Sequence, residues 1–179
     1  TLNDDMPSTG SILIEAASGK VTAAGLDADT TLGVTAGEID LNGTVTGGGA
    51  VTVEATAGDI SGTDIDIEGA SVELTGPVTA TDSASIVATT GDATLNDDLT
   101  STGSILIEAA SGKVTAAGLD AATTLRVTAG DIDLNGPVPG GCAVPVPPTQ
   151  RDLYATDTDR HSASCPQTAT LPSPTSTAI

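Results

Sequence analysis

Aromatic side chains are almost missing from this sequence. Among 179 residues there is one tyrosine and neither phenylalanine nor tryptophan. A buried ring hides roughly 150–250 Å² of surface, so a wide globular core lacks its usual filler. The interior must be built from Val, Ile, Leu and Ala, which suits a narrow space. Bases are scarce as well: five Lys and Arg stand against 24 Asp and Glu, a formal net charge of −19. Such a polyanion gains no counterion release on nucleic acid and is repelled by anionic lipid, so both partners are disfavoured. The acids are scattered along the chain, the pattern of a solvated surface. No run approaches the roughly 20 apolar residues of a membrane span. A charged n-region with an apolar h-region, the mark of a signal peptide, is not visible at the start. Cysteine does not occur before Cys142, and Cys142 with Cys165 makes no disulfide framework and leaves the redox compartment open.

Repetition is what the chain has in abundance. Its opening TLNDDMPSTGSILIEAASGKVTAAGLDA returns from Thr94, changed only at Met6/Leu99 and Pro7/Thr100. Residues 1–53 and 94–146 are identical at 44 of 53 positions, an offset of 93. Near-identity on this scale implies a fold that accepts whole inserted units. Solenoids do, because each unit touches only its neighbours. The chain begins at Thr1 in mid-repeat, which reads as a fragment of a longer protein.

A weaker rhythm runs inside the 93-residue unit. SILIEA pairs with GKVTAAG, TLGVTA with GEIDLNG, and AVTVEA with GDISGTDIDIE. Ile12, Ile14 and Ala16 share one face, as do Val51, Val53 and Ala55, Ile39 and Leu41, and Ile65 and Ile67. This period of two marks strands with one buried face. Gly, Asn-Asp and Thr-Gly steps punctuate the runs as turns. The pairs recur about every 20 residues, which predicts one coil per pair and about nine coils in all. At ~4.8 Å per coil that makes a rod roughly 40 Å long. The expected fold class is all-β, a parallel β-helix with roughly 20-residue coils. Tandem β-sandwich modules are the alternative, because 93 residues is also the size of one immunoglobulin-like domain.

The stretch TAGEIDLNGTVTGGGAVTVEATAGDI (residues 35–60) resembles the repeat region of filamentous haemagglutinin-type adhesins, the exoproteins of bacterial two-partner secretion. The shared phrases are Ala57-Gly58-Asp59-Ile60, Ala129-Gly130-Asp131-Ile132 and Gly47-Gly48-Gly49, and the resemblance extends over residues 1 to about 141. It implies a right-handed parallel β-helix shaft, exported through an outer-membrane transporter to the medium or the bacterial cell surface. It also implies a host-cell or cell-surface receptor, engaged through regions outside this sequence. A structural stalk segment without catalysis is the function expected.

Few constellations could carry chemistry. Asp131, Asp133 and Asn135 in DIDLNG match the first half of a calcium loop, whose hard cation needs oxygens at alternate positions. Cys142 stands where that loop requires its twelfth-position acid. Ile132 and Leu134 point the other way, so the simple reading is one strand with a wet face. Glu38, Asp40 and Asn42 repeat the pattern, as do Asp64, Asp66 and Glu68. A calcium-binding surface repeat is the second functional reading, with calcium as the only cofactor considered. Carboxylate pairs also raise a carbohydrate-active β-helix enzyme, but sugar-binding aromatic platforms are missing. Thr44-Val45-Thr46 and Thr79-Ala80-Thr81 resemble ice-binding threonine pairs, yet do not recur coil after coil. His161 with the two cysteines would make only a poor zinc set.

The composition changes at Pro137. Eight of the ten prolines, both cysteines, the histidine and the tyrosine fall in 137–179. Proline cannot donate to a ladder, so PVPGGCAVPVPP cannot continue as central strands. The domain division is therefore 1–136 solenoid, with its second copy from 94, and 137–179 tail. Thr44, Thr46, Thr52, Thr79 and Thr81 all correspond to proline at an offset of 93. The tail thus reads as a degraded copy of the repeat or as a disordered linker. Solenoid ends without capping coils expose strand edges and are expected to self-associate.

Overall fold

In a computed structural model, residues 1–138 and 153–155 of the protein are described. Among them there is no helix, and every strand pairing is parallel. The chain winds as a β-solenoid of about six turns, with partners near 20 residues apart in successive coils. No separate two-layered modules form, so the sandwich alternative falls.

Each coil has three walls. The first stacks residues 6–8, 26–28, 45–47, 67–68, 86–87, 107–108 and 127–128. The second stacks 12–16, 32–36, 51–55, 72–75, 93–95, 114–116 and 132–134. The third stacks 21–23, 39–41, 60–62, 78–80, 99–101 and 119–121. The expected two runs per coil are therefore three. The additional wall is short in the early coils, and Leu26–Ala28 turns only Leu26 and Ala28 inward. Two inward side chains are too few to show a period. Leu153–Ala155 adds to the second wall with Leu153 opposite Ile132, the spacing that also sets Ile60 opposite Ile39.

Parallel, in-register stacking sets each inward side chain above its counterpart. On the first wall the column runs Leu26, Val45, Ile67, Ile86, Ile107, Val127; on the second, Ile12, Leu32, Val51, Val72, Ala93, Val114, Ile132. All of these are buried. The interior is a tube of aliphatic ladders, and a ring on one rung would displace the rungs on both sides. Among the described residues one polar residue is buried with them: Ser101 donates to the Asp82 carbonyl at 2.8 Å in the coil beneath.

The 93-residue unit is not a whole number of coils. Its segments visit the walls in rotation, fourteen between Met6 and Leu95, so the unit ends two-thirds of the way round its fifth coil. Identical sequences consequently occupy different walls. Residues 12–16 lie on the second wall, and their copies 105–109 lie on the first.

The copies also differ in cover. Ile14 and Ala16 in the first coil are only partly buried, whereas Ile107 and Ala109 are sealed by the coil beneath. Truncating Ile107 to Ala should therefore cost about 3 kcal/mol, and truncating Ile14 about 1 kcal/mol, in urea unfolding. Equal losses would mean that the first coil is as well covered as the sixth.

Candidate functional site

Two lysine–carboxylate clusters mark bends of the solenoid: that of Lys20 lies where the second wall turns into the third, and that of its copy Lys113, one wall round, where the first turns into the second. The bend at Lys20 is described first. The bend is made by Ala16-Ala17-Ser18-Gly19-Lys20 in one coil and by Ala36-Gly37-Glu38 in the next. The register shifts there, because the earlier bend has two more residues. Ser18, Lys20, Glu38, Ala57 and the glycines 19, 37 and 58 line a shallow depression of about 220 Å³.

Lys20 faces Glu38 across the ladder. Its Nζ donates to Glu38 Oε1 at 2.8 Å and lies 3.5 Å from Asp40 Oδ2. The copy, Lys113, donates from Nζ to Asp133 Oδ2 at 2.9 Å, and its backbone N–H donates to Asp92 Oδ1 at 2.8 Å. Both lysines are held above the ordinary value of 10.5. The hydrogen bond to Glu38 or Asp133 is the main cause; desolvation opposes it, and the neighbouring carboxylates reinforce it. All these side chains are substantially exposed, so each pair contributes little to stability.

The calcium candidates lie at the bend of Lys113, between the first and second walls. Asp131 and Asn135 are exposed and Asp133 is half-buried, with Ile132 and Leu134 turned inward between them. Asp133 is engaged by the Lys113 ammonium. Among the described residues, no group of three or more His, Cys, Asp or Glu is arranged to hold a metal ion. Cys142, His161 and Cys165 lie outside the described residues. The threonine pairs make no flat array: Thr46 lies between Asp27 and Glu68, and Thr79 between Ser61 and Thr100.

Carboxylates are kept apart along every wall. Glu15, Thr35, Glu54 and Thr75 follow one another up the second wall. Asp27, Thr46, Glu68, Val87, Glu108 and Thr128 do so on the first. Among the described pairings no Asp or Glu lies directly opposite another. Like charges stacked at the coil spacing would repel strongly, and an intervening neutral residue doubles the distance. The lysine pairs were missed in reading the sequence. They become visible once the 20-residue coil is applied to charges as well as to apolar residues, since Lys20 and Glu38 are one coil apart.

Comparison with family models, with curated proteins and with solved structures finds no match.

The raised lysine values fix the direction of a pH effect. The contribution of each pair is fully present below 10.5 and fades as pH climbs through the higher folded-state value. Titration of the lysine ε-methylene signals should give midpoints above 10.5 for Lys20 and Lys113. Glu38→Gln and Asp133→Asn should lower the midpoint of the respective partner; midpoints at or below 10.5 in the intact chain would show that the ammonium groups are free. Calorimetric titration with calcium should give no saturable heat, and a saturable isotherm abolished by Asp133→Asn would establish a cation site there.

Proposed function

We propose that this chain is a stalk segment of a secreted or surface-attached bacterial adhesin and that its role is mechanical. The parallel ladder supports this reading best. Every coil takes its backbone partners from the coils above and below, so the structure grows along one axis without gathering a central cavity. Length is the property such an architecture supplies. The acidic exterior, with its carboxylates spaced up each wall, keeps a long rod solvated without coil-to-coil repulsion.

The resemblance of residues 35–60 to filamentous haemagglutinin-type repeats supplies the rest. Under this reading the chain passes an outer-membrane transporter during secretion. It holds a receptor-binding region, carried elsewhere in the protein, away from the cell. Self-association through exposed strand edges is the remaining partner interaction.

Antibodies raised against the purified chain should label intact cells of the bacterium that makes it, or recover it from the medium. Labelling only after the cells are broken open would place the protein inside and remove the adhesin reading.

A further inference from the structure

The chain has four asparagines, and they stand in two kinds of context. Asn3 and Asn96 precede aspartate, whereas Asn42 and Asn135 precede glycine. We propose that Asn42 and Asn135 are sites of self-modification, at which the chain's own backbone converts each side-chain amide to a carboxylate.

The step needs only solvent water. The Gly43 nitrogen gives up its proton to water and attacks Cγ of Asn42. The new N–Cγ bond closes a five-membered cyclic imide. The Cγ–Nδ2 bond breaks, and the nitrogen leaves as ammonia after taking up a proton. Water then opens the ring. Opening at Cγ restores the main chain and leaves aspartate; opening at the α-carbonyl leaves the main chain running through Cγ, as isoaspartate. In balance, one amide and one water give one carboxylate and one ammonium ion. Gly136 attacks Asn135 in the same way.

Three observations select these two positions, and none depends on what the protein does. The first is the residue that attacks. A Cβ on that residue crowds the closing ring, and glycine has none. Packing fixes the glycine here: a Cβ on Gly43 would strike the Ala24 carbonyl, and one on Gly136 the Ala117 carbonyl, each in the coil beneath. The architecture thus holds the least hindered partner beside both asparagines, at two different corners of the solenoid. Asp4 and Asp97, which follow the other two asparagines, carry a Cβ and a negative charge that opposes loss of the attacking proton.

The second observation is the state of the reacting groups. Both asparagines are exposed. Their backbone N–H groups donate to the carbonyls of Ala23 and Ala116, each at 2.8 Å, which ends the strand at a defined point. Among the described residues, neither the side-chain amides of Asn42 and Asn135 nor the N–H groups of Gly43 and Gly136 have a hydrogen-bond partner. Asn96 is held instead: its Nδ2 donates to Thr75 Oγ1 at 2.9 Å and to Glu73 Oε1 at 3.2 Å.

The third observation is that the product fits. Leu41 lies opposite Ala23 and Gly62, so position 42 falls beside Ala24 and Thr63, both uncharged. Position 135 likewise follows Leu134, opposite Ala116, and falls beside Ala117. A carboxylate at 42 keeps the spacing of charges seen up the walls, so the coil tolerates the aspartate it makes. Isoaspartate fits less well, since its extra main-chain carbon lengthens a bend already pressed against the carbonyl beneath.

The test incubates the complete folded chain at mildly alkaline pH, where more of the attacking nitrogen is deprotonated, and follows each asparagine by peptide mapping with mass spectrometry. Asn42 and Asn135 should convert first, as a mixture of aspartate and isoaspartate, while Asn3 and Asn96 stay amide. Each conversion should release one ammonia and shift the chain on anion exchange by one negative charge. Species carrying isoaspartate should melt below those carrying aspartate. Asn42→Gln with Asn135→Gln, which changes only exposed side chains and would need a larger ring, should abolish the early ammonia. Gly43→Ala should stop conversion at 42 alone; if that variant fails to fold, the glutamine pair still decides. Conversion at 42 and 135 no faster than at 3 and 96, or seen only after unfolding in urea, overturns the proposal.

Discussion

The structure depends on one constraint: within the stack, wall residues are paired in register with counterparts in the neighbouring coils, the register shifting only at bends. Whatever a side chain is, its nearest neighbours in space are its counterparts about 20 residues away in sequence. Inside the tube, like must sit on like, and branched aliphatics satisfy this at every level. Outside, the same rule would be ruinous for a chain of net charge −19 if acids stacked on acids. The alternation of Glu15, Thr35, Glu54 and Thr75 is the answer to that problem, written at a spacing no local window shows. The bends obey the rule too, with glycines 19, 37 and 58 at one corner.

The three walls are close to interchangeable, and this explains how a 93-residue duplication is accommodated. A copy need not land on the wall its parent occupied. It needs only a wall segment of compatible length beneath it, and 105–109 finds one in 84–88 on a different wall from 12–16. The smallest unit that matters for folding is therefore a third of a coil. Between the copies both patterns coexist, since the first and second walls carry longer runs over 64–69 and 71–75.

Much of this architecture was legible in the residues. Alternation in SILIEA and AVTVEA, the shortage of rings and the 20-residue rhythm led to parallel coils. The wet faces of 38–42, 64–68 and 131–135 were also placed correctly, with Ile39, Ile65 and Ile132 turned inward. Two features were hidden. The third wall begins as runs such as Leu26–Ala28, too brief to display a period. The rotation between copies was masked by their identity, because sequence likeness suggests equal placement, while placement depends on counting segments modulo three. Around the lysines, local reading saw isolated bases; only the ladder brings Lys20 to Glu38 and Lys113 to Asp133.

The direction of the backbone hydrogen bonds has a further consequence. In a solenoid they run along the long axis, so tension on the ends is borne by one coil's bonds after another's, in series. Once a terminal coil lets go, it releases about 20 residues of slack, which spans roughly 60 Å when drawn out. A rod of this kind yields in steps, surrendering one turn while those behind it stay closed.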